Sequence, residues 1–432
     1  MKGLPADQSA PAGETGLFRL SAAAVLSGVL TGLVGGCFRA ALDWAEPSRA
    51  ALSVRLGGVP WWGWAAAVAV SALAAALARW LVRFSPLAAG SGVQHVEAVV
   101  RGEAERAPWM VVPVKFLGGL LAIGGAGLAL GREGPTVQMG ATIGSECAER
   151  LGVDPQAGRD LQAAAAGAGL AVAFNAPLGG AAFVFEELSG RFGLRLAMAV
   201  FLACAAAVSV SRAMLGNAPD FSVAAGEANG FAAGVIFLVL GILLGVLGVF
   251  YNRTTLFCMD LVAGLRRLTP EVRAGMVGGA VGLVGWFAPV WVGGGDAMNQ
   301  TLLAGGTPWS LVVVLLALRW VLGPASYAAG TPGGLFAPLL LVGSACGFLA
   351  APAGEFFGVP AHALAVAGMA AFFTGVVRAP LTGTILIVEM TATPQLIVPV
   401  MLACFGAAAS ATALKGPPIY ETLRQRLLKT PR

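Results

Sequence analysis

The stretch GREGPTVQMGATIG, residues 131–144, returns later in the chain as GLFAPLLLVGSACG, residues 334–347. Gly131, Pro135, Gly140 and Gly144 match Gly334, Pro338, Gly343 and Gly347, each at a separation of 203 residues. The register continues without a gap through Ala176-Pro177-Leu178 and Ala379-Pro380-Leu381, then Gly180 and Gly383, then Glu186 and Glu389. Alanine and glycine matches alone mean little in so small-residue-rich a chain. The paired prolines and the paired glutamate carry the weight. The chain is two related halves, about 17–215 and 229–420, and proline just inside each motif marks a helix beginning there.

Composition says what those helices lie in. Only 11% of the 432 residues are charged, against about 25% in soluble domains. Apolar residues make up 57%, and the mean hydropathy is +0.80. So few charges cannot cover a water-facing surface, so much of this one faces lipid. A soluble globule, a coiled coil, a collagen, a disordered chain and a nucleic-acid binder are excluded. The 61 glycines and 25 prolines are too many for simple spanning rods and predict close-packed and broken helices. Apolar runs fall at about 17–46, 60–83, 109–130, 160–183, 194–214, 229–251, 275–295, 309–326, 335–351, 361–377, 381–390 and 394–414. The shorter ones must be re-entrant, with backbone ends lining a polar cavity.

Charge placement orients the chain. Lys and Arg cluster around 101–106, 191–195, 253–273 and 424–432, whereas the breaks holding Asp220, Glu227 and Asp296 have none. The basic side is cytoplasmic, which puts both termini inside a bacterial inner membrane and the Asp220 and Asp296 loops outside. Residues 1–16 read as a lead-in, 216–228 as an extracellular linker and 421–432 as a basic tail. The six scattered cysteines read as free, buried thiols. His95 and His362 have no metal-binding or catalytic company, so no metal, cofactor or enzymatic chemistry is expected.

Glu133 is the residue that carries the chemistry. A carboxylate at membrane depth costs at least ~2.5 kcal/mol and must face a cavity or a partner. A helix N-terminus attracts anions through its free N–H groups and partial positive charge. Glu133 sits at such an end, so it can occupy an anion site and be displaced when protonated; the bland alternative is an ion pair with Arg132 or another nearby cation. Gly334-Leu335-Phe336-Ala337-Pro338 supplies a second helix start with no competing charge. Gly90-Ser91-Gly92 joins backbone amides to a hydroxyl, a loop or a halide contact. Glu186 and Glu187 close a helix near Arg191, as a cap, a salt bridge or a proton path. Glu186 has a repeat partner in Glu389, whereas Met390 stands opposite Glu187. Tyr420, in Gly416-Pro417-Pro418-Ile419-Tyr420, is an interfacial aromatic or a residue held in place by its stiff approach.

With these motifs in this order over about residues 17–424, the sequence resembles the CLC family of chloride channels and proton-coupled chloride exchangers. The resemblance implies an all-α polytopic membrane protein, with two inverted-repeat halves and broken helices, assembled as a homodimer. Carried over by motif, Ser91 and Tyr420 would hold chloride through hydroxyls, Leu335 and Phe336 through backbone amides. Arg132 and Gly134 would line the outer anion site with theirs. Glu133 would be the gating glutamate and Glu187 the inner proton glutamate, which favours a proton-coupled antiporter over a passive chloride channel. A sodium-coupled symporter is the rival from another transport class. Val93-Gln94 departs from the proline that usually follows the serine motif, and the large regulatory domains of eukaryotic members are absent.

Overall fold

Helix accounts for nearly all of the regular structure. The computed structural model describes residues 14–57, 62–224 and 230–429, and among them it has eighteen α-helices and no β-strand. Glu227, and most of the expected lead-in, lie outside the described residues. Six helices are long and apolar enough to cross a bilayer: Leu17–Leu52, Gly63–Phe84, Leu194–Leu215, Phe231–Gly264, Trp309–Ala328 and Pro394–Ala413. Their outward faces carry Leu73, Leu243, Phe250 and Phe405 exposed. This is a multi-pass membrane protein.

The expected run 160–183 is in fact two helices, Pro155–Phe174 and Pro177–Phe183. Asn175 adopts the left-handed conformation at φ 52°, and Pro177 starts the next helix because it cannot continue the last. Arg378, 203 residues on, repeats the left-handed stop at φ 74° before Pro380–Met390. The register also reaches Gly92 and Gly295, at φ 86° and 101°, which precede the short helices Val93–Val100 and Asp296–Ala304. The repeat is therefore one of backbone, wider than its identities.

Small residues let the long helices meet. Gly28 and Gly32 face Ala203 and Ala207 so closely that an added Cβ would strike their carbonyl oxygens. Gly241 and Gly245 face Ala403 and Ala407 in the same way. Both halves thus use four-residue spacing of small residues, where close packing replaces the hydrophobic drive that lipid removes. At the centre, Pro155–Phe174 and Ala361–Val377 are buried on nearly every side.

The halves also cap one another. Glu186 accepts from the amides of Leu381 (3.0 Å) and Thr382 (2.7 Å) and from the Thr382 hydroxyl. Glu389 accepts from the amides of Leu178 (3.3 Å) and Gly179 (2.8 Å). Each half thus satisfies the other's orphan helix N–H groups, the reciprocity a twofold relation produces. Of the readings open for Glu186, the cap is the one these bonds fit, since Arg191 pairs with Asp160. A second correction concerns 421–432. Ile419–Lys429 is one helix that buries Leu423 and ties Arg424 to Glu97 (3.3 Å) and Glu103. A docked apolar stripe, rather than a loose basic tail, follows Tyr420.

Candidate functional site

Three turns meet at the middle of the molecule, and the segment 331–334 binds the other two. Gly90 donates to Thr331 O and accepts from Gly333 N, both at 3.1 Å. Gly131 and Gly334 exchange their backbone bonds, N to O at 2.8 Å and 2.7 Å. The helices Glu133–Arg150 and Phe336–Leu349 thereby start side by side. Gly134 is required here, since a Cβ would strike the Oγ and backbone of Ser91. That brings the serine turn against the first helix start.

Glu133 is 1% exposed. Its carboxylate lies against its own amide and that of Ala337, in the first turn of the opposite helix. One oxygen, Oε2, has no hydrogen-bond partner among the described residues. The alternative of an Arg132 ion pair is overturned by where the guanidinium goes. Arg132 pairs with Asp220 (3.2 Å), Asp43 (3.4 Å) and Asp296 (3.6 Å), and donates to Ala173 O. Asp220 also holds Arg39. The acidic loops that sequence placed on one face do gather there, around Arg132.

Deeper in, Ser91 and Tyr420 are both fully buried. Their hydroxyls are neighbours, and neither Oγ nor Oη has a hydrogen-bond partner among the described residues. Tyr420 is thus no interfacial aromatic. Its ring lies 6.0 Å from that of Phe336, which also packs on Phe373 at 4.8 Å and Phe183 at 5.8 Å. Leu335 and Phe336 are completely buried at the start of Phe336–Leu349. Glu187 is half-buried on the far side, in a π-helical turn, Val184–Leu188. Its charged neighbours are Glu97, Glu186, Arg101 and Glu421. The second half runs as plain α-helix through Met390. Such π-turns are frequent at functional positions.

Sequence reasoning missed Lys115. It is fully buried, and Nζ donates to Gly90 O (2.6 Å) and Ser91 O (2.9 Å). A buried ammonium inside an apolar run, Val111–Gly119, was the signal available. Tyr327 was missed too; its hydroxyl accepts the Ser91 N–H at 3.5 Å. So was Gln138, which fills the space beside Gly92 and donates to Leu87 O (3.0 Å). These three hold the serine turn in shape.

The centre of the molecule thus brings together two adjacent helix starts, a buried acid and two hydroxyls without partners among the described residues. A family profile described as "Voltage gated chloride channel" matches residues 74–412. The chain belongs to that family. Among members of this chloride channel family, an H(+)/Cl(-) exchange transporter ClcA of Cronobacter sakazakii is 36% identical over 416 residues. The match spans 94% of this chain and 89% of that one. A protein of the same name from Vibrio cholerae is 37% identical over 418 residues, 94% and 89% of the two chains. A solved structure of a slow cyanobacterial Cl-/H+ antiporter superposes at a TM-score of 0.90 with 32% identity, over 96% of this chain and 99% of that one.

Proposed function

We propose that this chain exchanges chloride for protons across a bacterial inner membrane, as a homodimer with both termini cytoplasmic. The observation that carries the reading is the Glu133 carboxylate, buried against the amides of the opposite helix start with one oxygen unpartnered. An anion lodged there is held by partial charges and no full cation, so it binds and still leaves. Chloride and the Glu133 carboxylate compete for the same amides. When Glu133 takes up a proton it loses its claim on them and swings aside, and chloride passes. When the proton leaves, inward by way of Glu187, the carboxylate returns.

The remaining roles follow from position. The Ser91 and Tyr420 hydroxyls, lacking protein acceptors, hold the central chloride together with the amides of Leu335 and Phe336. The Arg132 and Gly134 amides line the outer position that Glu133 occupies. Glu187 is half-buried near Glu97 and Arg101, where an acid can pick up or shed a proton. The presence of both Glu133 and Glu187 favours exchange over passive conduction. The test is paired flux in proteoliposomes. Glu133→Gln and Glu187→Gln should each cut chloride-driven proton movement at least about a hundredfold while chloride flux continues. Proton movement surviving in Glu133→Gln would overturn the reading.

A further inference from the structure

Two cavities lead to Glu133 from the Asp43–Asp296 face. The outer one holds about 400 Å³ and is lined by Asp43, Glu46, Arg49, Arg132 and Asp296 among others. The inner one holds about 10 Å³ and is lined by Glu46, Arg132, Asp296, Gly294, Ala337 and Glu133. That is room for about one water molecule. Only Glu46, Arg132 and Asp296 line both. Of the three, arginine does not give up its proton, and Asp296 is held by Arg132 at 3.6 Å. Asp43, also paired with Arg132, reaches the outer cavity alone.

Glu46 is different. It is half-buried, with one oxygen beside Gly293 and the other beside Gly294. A methyl group on Gly294 would lie 3.9 Å from Glu46 Oε1, 3.9 Å from Ala337 Cβ and 3.5 Å from Leu130 O. The missing side chain therefore leaves a gap between Glu46 and the side chain of Ala337, the residue whose amide Glu133 lies against. The unpartnered Oε2 of Glu133 is the polar atom at the inner end. The charges around Glu46 come from every side: Asp43 and Arg49 on its own helix, Arg132 on the Glu133 turn, and Asp296 across the cavity. Arg319 is a further charged neighbour, donating to Gly293 O at 2.7 Å.

We infer that Glu46 is a proton relay that loads Glu133 from the Asp43–Asp296 face through one water in the gap left by Gly294. A proton from bulk water protonates the Glu46 carboxylate. Glu46 then gives a proton to the bridging water, which passes one of its own to Glu133 and is restored. Glu46 returns to its charged form, and Glu133 becomes neutral and releases the anion site. This deepens the exchange reading and rests on it.

The test is proton and chloride flux in proteoliposomes of wild type, Glu46→Gln, Glu46→Asp and Gly294→Ala, each alone and in the Glu133→Gln background. An amide cannot relay, so Glu46→Gln should slow proton and chloride movement together, about a hundredfold, with their ratio unchanged. The deficit should widen toward alkaline pH, where bulk protons are scarce. Gly294→Ala, for which there is space, should slow exchange too, and Glu46→Asp should restore part of the rate. In the Glu133→Gln background Glu46→Gln should leave chloride flux unaltered, because the proton has nowhere to go. Wild-type exchange with Glu46→Gln at full rate would overturn the relay alone. So would an equal loss of chloride flux in the Glu133→Gln background, which would mean that Glu46 merely shapes the anion's route. Wild-type vesicles without coupled proton movement would overturn the exchange reading itself.

Discussion

At 131–135 and 334–338 the chain makes the same turn twice, and each copy hydrogen-bonds the other. One presents a carboxylate at its third position and the other a phenyl ring. The same contrast recurs at the far side. Glu186 and Glu389 are paired by the repeat and cap each other's half, while Glu187 aligns with Met390. Paired positions build the frame. Unpaired ones carry charge that can come and go. A duplicated backbone thus supplies symmetrical helix ends, and function enters where the copies differ.

The comparison breaks most severely at the turns themselves. A Cβ on Gly334 would lie 2.8 Å from Gly134 N and 3.2 Å from Gly131 O. Gly334→Ala must push the halves apart and should cost about 3 kcal/mol, seen as a large fall in apparent Tm in detergent. Lys115→Met comes next. It frees two carbonyls of the serine turn to rotate toward the anion site, and chloride affinity by calorimetry should fall about tenfold.

The caps sharpen the comparison. Glu186→Gln and Glu389→Gln should each cost about 1–2 kcal/mol, by loss of charge-assisted capping, and by similar amounts. Glu187→Gln should leave the apparent Tm in place while uncoupling transport. Unequal losses at Glu186 and Glu389 would show that the halves are not equivalent as frames. The smallest effect lies outside the membrane, at Asp154, which accepts from Ala157 N at 2.9 Å and caps Pro155–Phe174. That amide, and then Arg195, hold its carboxyl below the usual range. The stabilisation is therefore present above the ordinary aspartate range and fades as pH falls through the lowered value. Asp154→Ala should cost about 1 kcal/mol at neutral pH and less in acid, read as a Tm difference that narrows on acidification.

Much of this was legible in the residues. Prolines and glycines at a fixed separation announced two halves and the helix starts, because backbone breaks are local and leave local marks. Glu133 and Ser91 stood out as polar groups in apolar surroundings. Long-range pairing was not legible. Arg132 gathers Asp43, Asp220 and Asp296 from three distant segments, and no periodicity foretells that. The roles of Lys115 and Tyr327 depend on which carbonyls and amides the fold brings to them. The docking of Ile419–Lys429 failed to register because its basic residues resemble a solvated tail until Arg424 meets Glu97.

The exchanged bonds between Gly131 and Gly334 bear on how the protein is made. The first turn's amide and carbonyl have their partners 203 residues downstream. At ~5–20 residues per second, the ribosome needs roughly 10–40 s to deliver them. Until then the nascent first half must keep that stretch near water, at the translocon or the headgroups, and only the arrival of the second half draws it to mid-membrane. Assembly of the permeation route is consequently a late event in biogenesis, one that two separately translated halves could accomplish by meeting in the bilayer.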